Sequence, residues 1–304
     1  MRPGGLDERA RARVRAAVQT EATRPAPPEV ETLVGALRAR FGETFAGALF
    51  YGSCRRHPDP DGIFDLHVLV HDLRQALGPL QGALCRLLPP TVAYLEVPYD
   101  GTTVRCKYAV LSLRQFRRGC SRVAFHSYFW GRYAQPLTLV GVDADELPAR
   151  LDDLVTAVET LARRALPRLG PVPDARSYWS GALRLSYRAE LRPEGDDRAL
   201  ALVDAHHDYY HQTGEALLAA LAAPQRVSAA SRLDWGVRIV LGKLLSVGRL
   251  LKGLFTFDGA LDYVAWKLER HTGVPVEITP AARRRPLLYL WPLVWRLWRQ
   301  RVFR

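Results

Sequence analysis

The sequence has few cysteines, and none lies in a pattern typical of a metal site or a disulfide framework. Cysteine occurs at four widely spaced positions, Cys54, Cys85, Cys106 and Cys120, without a CxxC or CxxH pair. Structural zinc sites and small disulfide-rich scaffolds both depend on close or repeated cysteine spacing. We therefore expect neither, and we expect reduced thiols, as in cytosolic proteins.

Long apolar runs are also absent. The sequence has no stretch of about 18 uninterrupted apolar residues, the length that a membrane-spanning helix requires. Residues 1–24 are rich in Arg and Ala, contain the acids Asp7, Glu8 and Glu21, and precede a Pro-rich break. These features fit neither a secretory signal nor a transit peptide. We therefore predict a polar N-terminal helix, and neither secretion nor a spanning helix.

Acidic residues are outnumbered by basic ones. The 304 residues include 43 Lys and Arg against 31 Asp and Glu, which gives a formal net charge of +12 and a pI of about 9.9. The hydrophobic fraction of 48% is typical of a globular protein, and the length suits one large or two ordinary domains. The charge favours an anionic partner, such as nucleic acid, an anionic membrane or a polyphosphate substrate. Charge alone does not choose among them.

The apolar periodicity predicts two different halves. In the first half, helices and strands are predicted at residues 30–41, 46–51, 63–70, 73–88, 92–98 and 102–113. From about residue 147 onward, apolar residues at three- and four-residue spacing predict helices at residues 151–166, 178–185, 198–221 and 233–251. The sequence therefore predicts an α+β half followed by a mainly helical half.

A glycine-serine turn between the first two predicted strands is the main functional signal. Gly52-Ser53 follows the first strand, and Asp65 lies near the start of the second. Glycine lets the backbone approach a triphosphate, serine can donate to phosphate oxygens, and a carboxylate on the next strand can hold Mg²⁺. This is the layout of polymerase-β-like nucleotidyltransferases. Alone, a Gly-Ser turn is more often only a turn, and His67 replaces the usual second acid.

Further stretches extend this signal into a collinear pattern, at residues 50–53, 64–72, 106–112, 128–132, 185–192 and 252–256. Together they resemble the mitochondrial-type CDP-diacylglycerol synthases, the translocator assembly and maintenance family. Lys107-Tyr108 and residues 187–192 are the more specific matches. The family also has one acid on the second strand, but it has Asp where this chain has Glu190. We interpret the chain as a divergent, bacterial member.

The resemblance implies a fold and a domain order. The fold is α+β, with a polymerase-β-like nucleotidyltransferase domain, a mainly helical domain and a C-terminal amphipathic helix. The predicted segments are the N-terminal helix with its Pro-rich break, the nucleotidyltransferase domain, the helical domain that completes the active site, and the membrane-interface helix. Their bounds are residues 1–28, 29–165, 166–282 and 283–304.

The resemblance also implies an activity, phosphatidate cytidylyltransferase, which makes CDP-diacylglycerol and pyrophosphate from CTP and phosphatidic acid in phospholipid biosynthesis. In this interpretation Asp65 and Glu190 are catalytic carboxylates that bind the cofactor Mg²⁺. Lys107 neutralises the charge that develops as pyrophosphate leaves. The implied nucleotide-binding residues are Gly52, Ser53, Lys107, Tyr108, Arg132, Tyr187, Arg192 and Lys252.

Each role has an ordinary structural alternative. Asp65 could be a capping or turn residue, although a carboxylate in an apolar strand is costly unless it is paired or metal-bound. Glu190 could be a helix-surface residue paired with Arg188 or Arg192. Lys107 could be a solvent-facing strand residue, and in so basic a chain the arginines could be surface residues.

The C-terminal segment, residues 283–304, is basic and rich in tryptophan. Its candidate membrane-binding residues are Arg283, Arg284, Arg285, Trp291, Trp295, Arg296, Trp298 and Arg299. Indole rings favour the headgroup level of a membrane, and arginines attract anionic lipid phosphates. We expect an interfacial helix, with packing on the protein's own core as the alternative. The expected location is peripheral, on the cytoplasmic face of a bacterial inner membrane or the matrix side of a mitochondrial one.

A rival interpretation is a non-catalytic basic protein that binds membrane or nucleic acid on a degenerate nucleotidyltransferase fold. The missing second acid favours it, as do Ala109 and Ala189, which replace family glycines. The retained Asp65, Lys107 and Glu190 oppose it. A nucleotidyltransferase acting on RNA fits less well, because the tail's tryptophans cluster on one short helix, so we expect no nucleic-acid partner. The sequence predicts no oligomeric state.

Overall fold

The structure is a computed structural model that describes residues 6–56, 59, 62–191, 197–221 and 226–258. Its strands are β1 (Phe45–Tyr51), β2 (Ile63–Val70), β3 (Thr91–Tyr99), β4 (Thr102–Ser112) and β5 (Thr138–Val140). Its helices are α1 (Glu8–Ala22), α2 (Pro28–Phe41), α3 (Ser53–Arg56), α4 (Leu73–Leu87), α5 (Leu113–Cys120), α6 (Trp130–Tyr133), α7 (Leu147–Leu169), α8 (Ala175–Arg188), α9 (Asp197–Ala205), α10 (His207–Ala220) and α11 (Ala229–Thr256). Arg192 and the predicted interfacial segment 283–304 lie outside the described residues.

The strands form one mixed sheet in the order β3-β4-β2-β1-β5. β2 and β4 run parallel, and the other neighbouring strands are antiparallel. The register places Asp65 beside Tyr51 on β1 and beside Lys107 on β4. The turn after β1, the carboxylate on β2 and the lysine on β4 are therefore neighbours at one end of the sheet.

The α+β class predicted from the sequence is confirmed. β2 has the predicted bounds, and β3 and β4 form the predicted hairpin. The hairpin turn, Asp100-Gly101, has positive φ at both residues (45° and 71°), a geometry that fits the twist of paired strands. The pattern does not predict α3, α5, α6 or β5, because three to eight residues are too few to show a period.

One predicted helix is in fact two. Residues 198–221 form α9 and α10, which are separated at His206, where the backbone is not helical (φ −126°, ψ 44°). The prediction of a single helix is wrong because apolar residues keep helical spacing on both sides of His206. No glycine or proline marks the break, so sequence alone gives no signal for it.

Each face of the sheet packs against its own apolar core. On one face, Leu66 belongs to a buried cluster beneath α2. On the other face, Leu69 and Leu111 pack with the helices of the second half. Because side chains alternate along a strand, Asp65 shares a face with Leu69, and Lys107 shares it with Leu111. The candidate catalytic residues therefore face the helical half.

The N-terminal helix belongs to the helical core. Its buried face consists of Ala10, Val14, Ala17, Val18 and Ala22. It packs on α7 and α10, and Arg11 and Arg15 on its polar side pair with Glu159 and Asp152 of α7. α7 itself runs through the predicted domain boundary at residues 165/166. The division of the chain into separate domains stays a prediction.

The long helix α11 contacts both halves of the structure. Near its start, buried Trp235 donates from Nε1 to a carbonyl of α7 at 2.8 Å. In its middle, Gly242 packs against the backbone of Ala189. Near its end, Lys252 donates to two carbonyls between α4 and β3. None of the described helices combines the length and apolarity that crossing a membrane requires.

We predict opposite effects for two alanine substitutions in α11. A Cβ at Gly242 would lie 2.2 Å from the carbonyl oxygen of Ala189, whereas a Cβ at Gly236 would meet nothing within 4 Å. Gly242→Ala should lower the free energy of unfolding by about 1–3 kcal/mol, because a backbone atom cannot give way cheaply. Gly236→Ala should raise it by up to about 1 kcal/mol, because alanine is the better helix former. Urea denaturation measures both changes, and equal effects would contradict the docking of α11 at Ala189.

Candidate active site

A cleft of about 490 Å³ lies between the helical face of the sheet and helices that include α6, α8 and α9. Its charged lining consists of two carboxylates and five cationic side chains: Asp65, Glu190, Arg55, Arg56, Lys107, Arg132 and Arg198. The predicted residues Gly52, Tyr108 and Tyr187 line the same space. The excess of cations makes this cleft attractive to a polyanion.

Gly52 has to be glycine for two reasons. Its φ is +97°, in the region that L side chains rarely adopt. A Cβ at this position would also lie only 2.6 Å from Oδ2 of Asp65. The glycine therefore lets the backbone turn after β1 and leaves room for the Asp65 carboxylate.

Asp65 is the third residue of β2 and faces the cleft, so it is not a capping residue. Its Oδ1 lies 3.0 Å from Nζ of Lys107 on the adjacent parallel strand. The Asp65 and Lys107 side chains are 24% and 40% exposed, so both remain accessible from the cleft. The pair therefore offers an anion and a cation side by side to an entering substrate.

Glu190 forms a second, more deeply buried pair. Its Oε2 lies 2.8 Å from Nη2 of Arg132, and the two side chains are 9% and 14% exposed. The guanidinium also lies over the rings of Tyr128 and Tyr51, at 4.7 and 5.7 Å from their centroids. Burial lowers the pKa of Arg132, but Glu190 and the tyrosines outweigh it, so the pKa is raised and the charge is retained. Glu190 is thus tied to Arg132, a contact that sequence reasoning did not predict.

His67, at the position of the usual second acid, is neutral. It is 1% exposed, and its Nδ1 lies 2.6 Å from the hydroxyl of Tyr133. Burial lowers the pKa of His67 well below its usual range, and the charges of Arg132 and Lys107 lower it further. The ring therefore fills the place of a second carboxylate without adding a charge.

The two predicted tyrosines take different positions. The Tyr187 hydroxyl donates to Oε1 of Gln135 at 3.2 Å, and both residues line the cleft. Tyr108 is 1% exposed and belongs to the core beneath α2, edge-on to Phe41. Burial raises the pKa of Tyr108 to about 12, so its hydroxyl stays neutral. Tyr187 is the better placed of the two to contact a bound nucleotide.

Two of the residues predicted to bind the nucleotide do not line the charged cleft. Ser53 is exposed at the start of α3 and does not line the cleft. Lys252 donates from Nζ to the carbonyls of Leu88 and Pro90, each at 2.6 Å, and does not line the cleft either. Burial lowers the pKa of Lys252 to about 8. Its ammonium fastens α11 to the segment before β3 instead of pointing at Asp65.

Four residues at one end of the charged cleft were not predicted from the sequence. Arg55 and Arg56 on α3, Arg198 on α9, and His206 after α9 all line it. The available signal was the position of Arg55-Arg56, which only Cys54 separates from Gly52-Ser53. It was hidden because a chain with 43 lysines and arginines has many such pairs.

An apolar cleft of about 880 Å³ adjoins the charged one. The residues that line both are Val92, Tyr108, Tyr128, Glu190, Leu191 and Leu250. The apolar cleft extends from there between α4 and α11, where Leu77, Val110 and Phe255 contribute to its walls. The two clefts therefore adjoin along these shared residues, with charged side chains lining one and mainly apolar side chains lining the other.

The donor set of the charged cleft fits Mg²⁺. Asp65 and Glu190 supply carboxylate oxygens, the ligands that this ion prefers, and Gly52 leaves the Asp65 carboxylate unobstructed. In the part of the chain that the structure describes, no cluster of three or more His, Cys, Asp or Glu side chains forms a metal site. Two carboxylates suit an ion that keeps several waters and substrate phosphates among its ligands.

We predict that His67 makes the stability of the protein depend on pH. The folded protein keeps His67 neutral, whereas the unfolded chain protonates it below a pKa of about 6.5. The free energy of unfolding should therefore fall as the pH drops below about 6.5, by up to about 1.4 kcal/mol per pH unit from this residue. His67→Gln should flatten the slope by that amount in denaturation measurements between pH 7 and pH 5.

Two other histidines also contribute to the pH dependence of the free energy of unfolding. They contribute equally in the wild type and in His67→Gln, so the comparison of these two proteins still isolates His67. Burial, with nearby arginines, lowers the pKa of His126 and of His206 to about 4, so both contribute in wild type and variant alike. The same slope in wild type and His67→Gln would show that His67 is protonated in the folded protein.

No protein-family model matches the chain, and no curated protein matches its sequence. Among solved structures, the chain is similar to a nucleotidyltransferase-like protein from Exiguobacterium sibiricum. The two have 14% sequence identity, the match covers 90% of this chain and 92% of the other, and the TM-score is 0.29. At this score the likeness supports no functional assignment, so function has to be inferred from the cleft itself.

Proposed function

We propose that this protein is a nucleotidyltransferase that makes CDP-diacylglycerol and pyrophosphate from CTP and phosphatidic acid, with Mg²⁺ as cofactor. The main support is the position of two carboxylate–cation pairs, Asp65–Lys107 and Glu190–Arg132, in a cleft that adjoins an apolar one. The charged side suits a nucleoside triphosphate with its metal ion. The apolar side suits the acyl chains of a lipid.

The proposed reaction needs little proton transfer. A phosphate oxygen of phosphatidic acid forms a bond to the α-phosphorus of CTP, and the bond from that phosphorus to the bridging oxygen of the β-phosphate breaks. Pyrophosphate leaves with the electron pair. Because the attacking phosphate is already anionic at neutral pH, no strong general base is required. The neutral state of His67 is consistent with such a mechanism.

Charge neutralisation is the task of the two pairs. Asp65 and Glu190 would hold Mg²⁺, which supplies charge neutralisation across the phosphates when bound. Lys107 and Arg132 would then turn their charge to phosphate oxygens instead of to the carboxylates. The contacts of Arg132 with the Tyr51 and Tyr128 rings restrict its position before a substrate binds, which lowers the cost of ordering it.

The apolar cleft is the reason to propose a lipid acceptor. Leu191 and Leu250, which line both clefts, are 46% and 66% exposed, and Phe255 at the apolar cleft is 73% exposed. Acyl chains would cover these side chains and gain the free energy of apolar burial. Glu190 lines both clefts, so a lipid held there would have its phosphate near the Glu190–Arg132 pair. A small polar acceptor would leave this surface unused.

The proposal includes attachment to an anionic membrane surface, and α11 offers a described surface for it. Exposed apolar residues recur along one side of α11 at three- and four-residue spacing: Leu233, Val237, Val240, Leu244, Val247 and Leu251. Exposed Arg232 and Lys243 flank this apolar side. Apolar residues beside cations are typical of helices that lie in a membrane interface. The predicted contribution of residues 283–304 and the peripheral location stay predictions.

Incubation of the purified protein with Mg²⁺, phosphatidate liposomes and each of the four nucleoside triphosphates tests the proposed function. We expect pyrophosphate release and CDP-diacylglycerol formation with CTP, and neither without phosphatidate. Release with a different triphosphate would correct the base, and no release with any of them would support the non-catalytic interpretation.

Asp65→Asn should abolish turnover in this assay and leave the fold intact. The loss of one metal ligand removes at least several kcal/mol of transition-state stabilisation. Asp72→Asn is the matched control. Asp72 caps α4 by accepting from the backbone N–H groups of Arg74 and Gln75, and asparagine caps helices about as well. Near-normal turnover by Asp65→Asn would reject the metal assignment.

Deletion of residues 287–304 should weaken binding to anionic liposomes and leave CTP binding nearly unchanged. The deleted segment contains Arg296, Arg299, Arg301 and Arg304, and each arginine near an anionic surface is worth about 1 kcal/mol. Leu244→Glu in α11 should weaken binding further, because it places a charge on the apolar side. Co-sedimentation at low and high salt measures both effects, since salt screens the electrostatic part.

The control for Leu244→Glu is Val123→Glu, since Val123 is 72% exposed and does not belong to α11. If both the truncated protein and Leu244→Glu pellet as the wild type does, neither surface contacts the membrane. Size-exclusion chromatography then shows whether a second copy of the chain covers α11 instead.

A further inference from the structure

Three cationic side chains line the apolar cleft, Arg40, Arg249 and Lys252. Two of them are held by acceptors of the protein itself. Arg40 pairs with Asp258 at 2.6 Å. Lys252 donates from Nζ to two carbonyls, each at 2.6 Å, and to the hydroxyl of Thr91 at 3.3 Å. Arg249 is the third cation, and the protein uses few of its donors.

Arg249 makes one hydrogen bond within the part of the chain that the structure describes. Its Nε donates to the carbonyl of Pro89 at 2.7 Å, which anchors the base of the guanidinium. A guanidinium also has donors on both Nη atoms, and no acceptor among the described residues takes them. The side chain is thus held in place while most of its donors are available to a ligand.

The guanidinium of Arg249 lies at the border between the two clefts. It is 4.1 Å from the centroid of the Tyr128 ring, and the guanidinium of Arg132 is 4.7 Å from the same centroid. Tyr128 and Glu190 line both clefts, as does Leu250, the next residue along α11. Burial lowers the pKa of Arg249 and Arg132 lowers it further, although Tyr128 and Glu190 oppose this. Its surroundings therefore compensate the charge of Arg249 only in part, and an anion beside it would stabilise that charge.

We propose that Arg249 binds the phosphate of the lipid acceptor and makes the site specific for an anionic headgroup. This inference rests on the proposed function. Acyl chains in the apolar cleft would place the headgroup at the border, where Arg249 and Glu190 lie. The two Nη atoms would donate to phosphate oxygens, because the fork of a guanidinium matches two oxygens of one phosphate. Arg249 lines the apolar cleft but not the charged one, so it would meet the acceptor instead of the triphosphate.

Arg249 would also reduce a repulsion that the proposed reaction otherwise faces. A phosphate that approaches from the apolar cleft comes close to the Glu190 carboxylate, and like charges repel. Arg249 places a cation on the acceptor side of that carboxylate, which offsets the repulsion. The interaction is stronger here than in water, because the surroundings are mainly apolar.

The same arrangement disfavours a neutral acceptor. A diacylglycerol has the same acyl chains but carries a hydroxyl group in place of the phosphate. It would cover Arg249 without a charged acceptor for the Nη atoms. A site built to bind a polar group rejects the analogue that lacks it, because its own polar groups are then left unpaired. Arg249 would therefore select phosphatidic acid over diacylglycerol.

Isothermal titration of the purified full chain with short-chain phosphatidic acid, kept below its micelle concentration, tests the inference. Arg249→Gln should weaken binding on the order of 10-fold or more, as expected for the loss of a charged hydrogen-bond donor. Arg249→Lys should lose less, since lysine keeps the charge but not the fork. Binding of short-chain diacylglycerol, which has no phosphate, should not weaken in Arg249→Gln.

Arg74→Gln is the matched control, because Arg74 is an exposed arginine of α4 that lines neither cleft. Binding of CTP with Mg²⁺ should change little in Arg249→Gln, which checks that the nucleotide side of the protein is intact. If CTP binding is lost as well, Arg249→Lys carries the test. A ratio of phosphatidic acid to diacylglycerol affinity in Arg249→Lys equal to that of the wild type would then overturn the inference.

Equal affinity of wild type and Arg249→Gln for short-chain phosphatidic acid would also overturn it, as would an equal loss for diacylglycerol. Glycerol 3-phosphate that binds as tightly as the lipid would show a site for a free phosphate compound and overturn the lipid assignment. The titration needs no turnover. Arg249-dependent binding of phosphatidic acid by a protein that is inactive with all four triphosphates would therefore reject the proposed function and leave this subsite standing. CDP-diacylglycerol formation by a protein whose phosphatidic acid affinity does not depend on Arg249 would do the reverse.

Discussion

The parallel pairing of β2 with β4 is the constraint on which the candidate site depends. It sets Asp65 beside Lys107, and strand alternation sends both side chains to the face that the helical half covers. A shift of one residue in this register would turn either side chain into the core beneath α2. Gly52 depends on the same register, since its missing side chain leaves the space that the Asp65 carboxylate occupies. One pairing of strands thus fixes an anion, a cation and a tight turn together.

The second pair, Glu190–Arg132, is more deeply buried than Asp65–Lys107 and needs a separate explanation. Burying an ion pair costs desolvation that its attraction often fails to offset, so such a pair is weak evidence for stability. Here the arginine also lies over two tyrosine rings, and the glutamate borders both the charged and the apolar clefts. A position shared by two clefts is of use to an enzyme that joins a charged substrate to an apolar one. Under the proposed function, the pair serves the reaction more than the fold.

The sequence reveals the parts of the site that are encoded locally. Asp65 and Lys107 lie in strands with a clear apolar pattern, and Gly52 marks the turn between strands, so the α+β class and these positions could be predicted. Glu190 and Arg132 are 58 residues apart, and only the packing of α6 near α8 brings them together. Arg55 was overlooked because its environment depends on Glu21 and Thr138, which lie far from it in the sequence. Periodicity and motifs describe neighbours along the chain, whereas these contacts are set by tertiary structure.

Lys252 illustrates how the position of one ammonium group changes the interpretation of a motif. Its sequence context suggested a phosphate ligand, yet it holds α11 against the segment before β3 through two carbonyls. With a pKa of about 8, the group still carries its charge at neutral pH, which charge-assisted hydrogen bonds to carbonyls require. Lys252 and Phe255 on α11 line the apolar cleft, so the motif 252–256 borders the acceptor side of the space, while the sheet with α3 and α9 borders the nucleotide side. Under the proposed function, both halves of the chain are required because residues of both halves line the two adjoining clefts, one for each substrate.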